Sequence, residues 1–139
     1  MAEMPVRRLS LKKLLPMGFD TNLGWFELCL NVTDIARSAA FYHKLGFRQT
    51  EGSIGEERVV MQYGVCRIAL YQGYLGNNRL HFRGGDVMEI ARQLEERGIT
   101  ANQPPNEDEE GNQSLLLEDP DGNTVWFVRH PGEPPPSAQ

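Results

Sequence analysis

The side chains able to do chemistry in this chain fall at alternate positions of short, largely apolar segments. If those segments are β-strands, alternation brings one aromatic and charged set to a single face. That set is Trp25, Glu27, Arg67, Tyr71, Arg79, His81 and Trp126. Rings supply contact area and fixed charges orient a ligand, so the set predicts a pocket for a small aromatic or anionic molecule. Alternatively, the rings fill the interior or a dimer contact and bind nothing.

No common catalytic motif accompanies this set. The sequence contains no GxSxG nucleophile turn, no HExxH zinc motif and no GxxxxGK phosphate loop. Cys29 and Cys66 lie in predicted strands without metal-type spacing, which favours packing over chemistry. Catalytic residues are therefore unidentified, and Glu27 is the only candidate for a general base.

The elements that must position these residues form an internal repeat. Apolar residues alternate over 26–32 as in a half-buried strand, and Thr33 or Asp34 can cap a helix that ends at Gly46. The same plan recurs 52 residues later, with Asp86 as the cap and Gly98 as the end of the helix. The repeat predicts two structural units of one design.

Each predicted helix is followed by strands. Three strands follow the first helix. The second is followed by a short strand near Ile99, an acidic loop at 102–113, and a hairpin closed by the DPDGN turn at 119–123. The predicted order is βαβββ, twice.

Composition limits the class of protein. A chain of 139 residues with 40% apolar side chains is enough for one domain, and its net charge of −5 argues against nucleic-acid binding. No apolar run is long enough to span a bilayer or resembles a secretion signal, so we expect no membrane association and a cytoplasmic location. The predicted organisation is an N-terminal arm at 1–23, a domain at 24–130 built from units 24–73 and 77–130, and a Pro-rich disordered tail at 131–139.

A family resemblance rests on two stretches of the chain. VTDIARSAAFYHKLGF, residues 32–47, is followed by a second βαβββ unit that ends in DPDGNTVWF, residues 119–127. This combination resembles the vicinal oxygen chelate superfamily, which includes glyoxalase I, bleomycin-resistance proteins and extradiol dioxygenases. The resemblance covers 24–130 and implies an α+β fold in which the mixed sheets of the two units curve into a cup.

The resemblance also implies four positions that hold a metal ion in metal-dependent members. Here they are occupied by Glu27, Ala69, Arg79 and Trp126, and only the glutamate can bind a metal, so we expect no metal cofactor. The alternative is a displaced divalent-metal site made of Glu27, His81 and His130. We do not expect this set to converge, because each histidine lies two to four residues along its strand from the implied position.

Two contacts are expected from the same comparison. Glu27 and Arg79 occupy equivalent positions in the two units, so we expect them to form an ion pair, directly or through one water, in place of the metal. Two-unit members commonly form homodimers, and we expect one here.

The function that fits these expectations is metal-independent binding of a small molecule, as in the bleomycin-resistance branch of the superfamily, with Trp126 as an aromatic surface for the ligand. A metal-dependent lyase or dioxygenase is the alternative. A metal-free enzyme that uses Glu27 as its base, and a purely structural or regulatory dimer, also remain open.

Overall fold

The protein folds as two βαβββ units, as predicted. A computed structural model describes residues 21–136, and a short 3₁₀ helix at Ile54–Glu56 accompanies the main elements. The elements in chain order are β1 (Gly24–Asn31), α1 (Ile35–Lys44), β2 (Arg48–Ser53), β3 (Arg58–Tyr63), β4 (Cys66–Tyr71), β5 (Arg79–Gly84), α2 (Val87–Glu96), β6 (Asn106–Glu107), β7 (Gln113–Glu118) and β8 (Thr124–Arg129).

All eight strands join in one open, curved, mixed sheet with the order β2-β3-β4-β1-β5-β8-β7-β6. The two units meet within one chain, where β1 and β5 run antiparallel at the centre. Each of these strands also has a parallel neighbour from its own unit, β4 beside β1 and β8 beside β5. The register of the central pair places Glu27 opposite His81 and Cys29 opposite Arg79.

The predicted helix ends are confirmed. The Asp34 carboxylate accepts a hydrogen bond from the Arg37 backbone N–H at 3.1 Å, and Asp86 accepts one from Glu89 at 3.2 Å. Each bond satisfies a backbone donor that the first turn of a helix leaves without an intrahelical partner. Both helices are followed by a glycine with positive φ, +105° and +78°, which allows the chain to turn away.

Both helices pack on the same face of the sheet, which we call the outer face. Ile35 of α1 packs with buried Val59, Met61, Ile68 and Leu70. Val87 and Ile90 of α2 pack with Leu115, Leu117 and Phe127. Full burial of one aliphatic side chain stabilises the fold by about 1.5–3 kcal/mol, so these two clusters hold the helices in place. The opposite, inner face carries the polar and aromatic set that the alternation predicts.

The predicted strand near Ile99 is wrong. The Ile99 backbone N–H bonds to the Leu94 carbonyl at 2.9 Å and closes the end of α2, so it does not pair with a strand. The remaining strand of the unit is β6, inside the stretch predicted to be an acidic loop. That stretch forms a tight turn at 108–112 that brings β6 back to β7.

The chain ends are covered only in part. Of the arm predicted at 1–23, residues 1–20 lie outside the described range, whereas Leu23 packs against the α2 cluster. Of the predicted tail, residues 131–136 are described, and the disorder of this segment stays a prediction. Within 21–136, no helix has the length and apolarity needed to cross a membrane.

Candidate functional site

A cavity of about 530 Å³ opens on the inner face of the sheet. Three of the seven residues predicted to bind a ligand line it: Tyr71, His81 and Trp126. The other four, Trp25, Glu27, Arg67 and Arg79, are not part of its wall. Its remaining lining residues are Arg58, Arg83, Asn106, Asp108, Asn112, Gln113, Ser114, Val128 and His130.

Beneath the cavity lies a buried charge network centred on Glu27. This carboxylate has no exposed surface. Arg67, itself 3% exposed, donates from Nε at 3.0 Å and from Nη2 at 2.6 Å to Glu27 Oε2. Arg83 donates to the same oxygen at 3.2 Å. Two guanidinium groups therefore share one carboxylate oxygen inside the protein.

The expected direct ion pair between Glu27 and Arg79 is wrong, since the ionisable partners of Glu27 are Arg67, His81 and Arg83. β1 and β5 run antiparallel about the pair Leu28 and Leu80, so Glu27 lies opposite His81 and not opposite its equivalent Arg79. The Arg79 guanidinium instead lies 4.6 Å from the centroid of the Trp126 ring, in a cation–π contact. The partners that Glu27 does have, Arg67 and Arg83, come from β4 and from further along β5.

The network extends outward through further carboxylates. Glu51 accepts from Arg67 at 2.7 Å and from Arg58 at 3.3 Å. Glu133, within the predicted tail, accepts a short hydrogen bond from Arg83. Three arginines thus face three glutamates, which offsets the cost of removing the charges from water.

The balance of these contacts fixes the charge of Glu27. Burial alone would raise the pKa of this carboxyl, but the neighbouring His81, Arg83 and Arg67 outweigh burial and lower it to about 2. A carboxylate this acidic and completely enclosed is a poor proton acceptor. Glu27 is therefore a structural anion, and the cavity wall must supply any general base.

His81 connects the charge network to the cavity. Its Nδ1 lies 3.3 Å from Glu27 Oε1 and 3.4 Å from the Cys29 sulfur. Its ring stacks on Trp126 with centroids 4.2 Å apart. Burial lowers the pKa of His81 although Glu27 opposes the change, so the imidazole is neutral near pH 7. Its Nε2 is buried and has no partner within residues 21–136.

The residues of this region do not fit a metal ion. The donor atoms of Glu27, Cys29 and His81 lie within 4.8 Å of one another, but the carboxylate already faces two guanidinium groups. Burial and the Glu27 charge raise the pKa of the Cys29 thiol to about 12, so a metal ion would have to displace its proton in order to bind the sulfur. The fold-implied positions at Ala69, Arg79 and Trp126 supply no donor.

The displaced metal set is brought together only in part. His81 does reach Glu27, contrary to the expectation from strand spacing, because the register pairs these two residues directly. His130 does not join them. Its Nδ1 is hydrogen-bonded at 2.9 Å to the Asn112 side-chain oxygen, on another part of the cavity wall.

Several cavity residues were absent from the predicted ligand-binding set, for different reasons. Asn106, Asp108 and Asn112 belong to the β6–β7 hairpin, which the sequence presents as an acidic loop. Arg58 lies on β3, where apolar residues on both faces hide the alternation. Arg83 follows His81 by two residues, so alternation alone was sufficient to include it.

Solved structures resemble this chain in fold. A glyoxalase/bleomycin resistance protein/dioxygenase superfamily member from Vibrio splendidus 12B01 matches with a TM-score of 0.57 and 17% identity, over 75% of this chain and 97% of that one. Methylmalonyl-CoA epimerase from Mycobacterium tuberculosis gives 0.56 and 14%, over 77% and 87%. The Mn(II)-bound glyoxalase from Novosphingobium aromaticivorans gives 0.52 and 19%, over 74% of this chain and 36% of that one.

Sequence comparison adds no closer relative. No protein-family model matches the chain, and no curated protein does. At the identities above, structural likeness establishes the fold and leaves the activity to be argued from the site. Two βαβββ units in one curved sheet, the two helices on its outer face and these structural matches together show that the chain has the vicinal oxygen chelate fold of the glyoxalase, bleomycin-resistance and dioxygenase proteins.

Proposed function

We propose that this protein binds a small aromatic or anionic molecule in the inner-face cavity without a metal ion. The observation that carries the proposal is the cavity itself, whose volume of about 530 Å³ lies in the range of small-molecule sites. Its wall combines the rings of Trp126 and Tyr71 with the guanidinium of Arg58.

Trp126 is suited to hold a flat ligand. It is partly buried, and its indole is fixed by stacking on His81 and by the guanidinium of Arg79. A ring held in one orientation loses little entropy when a ligand packs against it. We therefore assign Trp126 as the main apolar contact of the bound molecule.

Arg58 is suited to hold an anionic substituent. Its Nε donates to the Tyr71 hydroxyl at 3.2 Å and its Nη2 to Glu51 at 3.3 Å, while Nη1 has no hydrogen-bond partner among the described residues. Burial opposes the charge, but the bond to Tyr71 and the carboxylates of Glu27 and Glu51 raise the pKa of Arg58. It thus stays a cation with one free edge for a ligand oxygen.

Metal independence rests on the chemistry of Glu27. A divalent ion there would have to displace or lie beside the guanidinium groups of Arg67 and Arg83, which already neutralise the carboxylate. A metal cation in contact with the Glu27 carboxylate would lie close to both guanidinium cations, and like charges repel strongly when they are buried. The ion pairs therefore replace a metal as the link between the two units.

For the alternative function, a metal-dependent lyase or dioxygenase, the candidate metal donors within residues 21–136 are Glu27, Cys29 and His81. Calorimetric titration with Zn²⁺ and Mn²⁺ distinguishes the two functions. We expect no stoichiometric binding at this set. Tight binding that is lost in His81→Gln would favour the enzyme.

Tryptophan fluorescence tests the proposal, because the two tryptophans of the chain lie in β1 and β8 of the sheet, and Trp126 lines the cavity. Aromatic acids, thiol conjugates, and glycopeptide or quinone antibiotics are screened for a saturable change in emission and a raised melting temperature. We expect at least one ligand. Trp126→Ala should bind it at least about tenfold more weakly, equal to about 1.4 kcal/mol, whereas unchanged affinity would contradict the proposal.

A further inference from the structure

A chain of hydrogen bonds at the cavity wall orients one histidine. The Asp108 carboxylate accepts a bond from the Asn112 side-chain nitrogen Nδ2 at 2.9 Å. The Asn112 oxygen Oδ1 in turn lies 2.9 Å from His130 Nδ1. Asp108, Asn112 and His130 all line the cavity.

The Asp108 carboxylate, which begins this series of hydrogen bonds, determines which group donates and which accepts in each bond. The Asp108 carboxylate also accepts from the backbone N–H groups of Glu110 and Asn112, and the bonds from Asn112 lower the pKa of Asp108. An ionised carboxylate only accepts, so Asn112 must turn its NH₂ toward Asp108 and its oxygen toward His130. His130 then carries its proton on Nδ1, and Nε2 holds the free lone pair.

A second turn in the protein shows that the contact with His130 is not needed to build the turn. At 119–123, Asp119 accepts from the backbone of Asp121 and Asn123 and from the Asn123 side chain, each at 2.9 Å. This geometry matches that at 108–112, yet no histidine is bonded to Asn123. The bond between Asn112 and His130 is therefore an addition to a turn that is complete without it.

We propose that His130 is a general base of the cavity and that Asn112 is its positioning residue. The inference rests on the proposed function, since it needs a molecule in the cavity. His130 is exposed, and its Nε2 has no partner within the described part of the chain. Glu27, the base candidate from the sequence, has no exposed surface, and the Nε2 of His81 is also buried.

The substrate class follows from the rest of the wall. Trp126 receives a flat ring, and Arg58 stabilises negative charge that develops on an oxygen. A matching substrate is an aromatic molecule with an acidic C–H, whose deprotonation places charge on a phenolic or carbonyl oxygen. The reaction is a base-promoted elimination or isomerisation.

The probe 5-nitrobenzisoxazole has this chemistry and reports it by colour. His130 Nε2 takes the proton from C3, and the electron pair of the C–H bond forms the third bond of a nitrile. The N–O bond breaks, and its electron pair stays on oxygen as a coloured nitrophenolate. The imidazolium then returns the proton to water, so no oxidant or further reactant is consumed.

The test measures turnover and binding of this probe separately. For the parent protein we expect saturable turnover above buffer and quenching of tryptophan fluorescence. His130→Gln should lower kcat by about 10²-fold or more, as expected for loss of a general base, and leave quenching unchanged. Asn112→Ala should lower kcat by about tenfold, whereas Asn123→Ala, which removes the same amide from the matching turn, should leave it unchanged.

Nitrogen NMR of the histidine side chain adds a readout that turn stability alone does not affect. We expect the Nδ1–H tautomer of His130 in the parent and in Asn123→Ala, and a shift toward Nε2–H in Asn112→Ala. Quenching without turnover that depends on His130 overturns the base and leaves the proposed function intact. Absence of both signals overturns the base and counts against the cavity as a ligand site.

Discussion

The charged carboxylate of Glu27 is fully buried, so its stability in the fold depends on the positively charged groups around it. Arg67 and Arg83 both bond to its Oε2. Their side chains are only 3% and 9% exposed, so water cannot solvate the two guanidinium groups in place of Glu27. Removing one member of such a group leaves the buried charges of the others incompletely compensated. The network is therefore a structural element that stabilises only when complete.

The first prediction concerns Glu27→Gln. It keeps the side-chain shape but leaves two buried guanidinium groups without their shared anion, so we expect it to lower the free energy of unfolding by about 3–5 kcal/mol. Urea unfolding measures the change. Arg79→Met is the control, because it removes only the contact with Trp126, worth about 0.5–2 kcal/mol. A Glu27→Gln protein as stable as the parent would show that the network is not structural.

The second prediction concerns acid stability. The pKa of Glu27 falls from 4.5 to about 2 on folding, so between these values the unfolded chain binds the proton more readily. Its contribution is complete above pH 4.5 and is lost as pH falls toward 2. The pKa of Glu51 is lowered too, despite partial burial, chiefly by its bond to Arg67. We expect Glu27→Gln to reduce the slope of stability against pH in this window, and an unchanged slope would contradict the assignment.

At the scale of single residues, sequence identified which side chains share the inner face but not which of them touch. Alternation follows from strand geometry alone, so Trp126, Tyr71 and His81 could be placed on one wall. The partners of Glu27 depend on the pairing of β1 with β4 and with β5, which short-range pattern does not encode. The contact between Asn112 and His130 depends in addition on a turn that brings residues 18 positions apart together.

Among the elements, the β1–β5 pair decides the geometry of the site, because it joins the two units. Trp25 at the start of β1 lies over Gly84 at the end of β5. A Cβ at Gly84 would lie 2.3 Å from the Trp25 ring, and the glycine has a φ of +95°. Close approach of the two strand ends thus requires glycine at this position.

The third prediction compares two glycines. Gly84→Ala and Gly73→Ala both place a side chain at positive φ, +95° and +86°, and each should cost about 1–2 kcal/mol for that reason. Nothing lies within 4 Å of a Cβ at Gly73, whereas Gly84 meets Trp25. We therefore expect Gly84→Ala to cost about 1–3 kcal/mol more. Equal melting temperatures for the two variants would show that the Trp25 contact does not constrain the pair.

Elements were predicted best where the signal is local. Helix caps at Asp34 and Asp86, and the turn at 119–123, depend on residues within one turn, and all three are confirmed. The strand β6 has only two residues and no apolar alternation, so pairing with β7 is its only mark. The strand predicted near Ile99 is wrong because the Ile99 backbone N–H closes the end of α2.

The outer face of the whole molecule has an apolar surface between its two helices that neither helix fully covers, which we call the gap. α1 packs mainly on β2, β3 and β4, and α2 packs on β7 and β8, which leaves β1 and β5 less covered. Phe26 is 42% exposed and Leu80 is 36% exposed along these central strands. Contiguous apolar surface of this kind commonly marks a contact with another protein.

The fourth prediction is that the protein forms a symmetric homodimer through this gap. Light scattering at micromolar concentration should give twice the mass of one chain, and the double variant Phe26→Lys, Leu80→Lys should give the mass of one. Val65→Lys is the matched control, because Val65 is 81% exposed in the β3–β4 turn, away from the gap. A monomeric parent would contradict the dimer, and a dimeric double variant would exclude this surface as its interface.

The central claim, that the cavity binds a small molecule without metal, is tested most directly by one affinity measurement. The ligand with the strongest effect on tryptophan emission is titrated into protein treated with a chelator, and again after addition of Zn²⁺ or Mn²⁺. We predict saturable binding in the chelator with an affinity that the metals change by less than about twofold, well under the 1.4 kcal/mol of a tenfold change. Binding that appears only when metal is added would contradict the account.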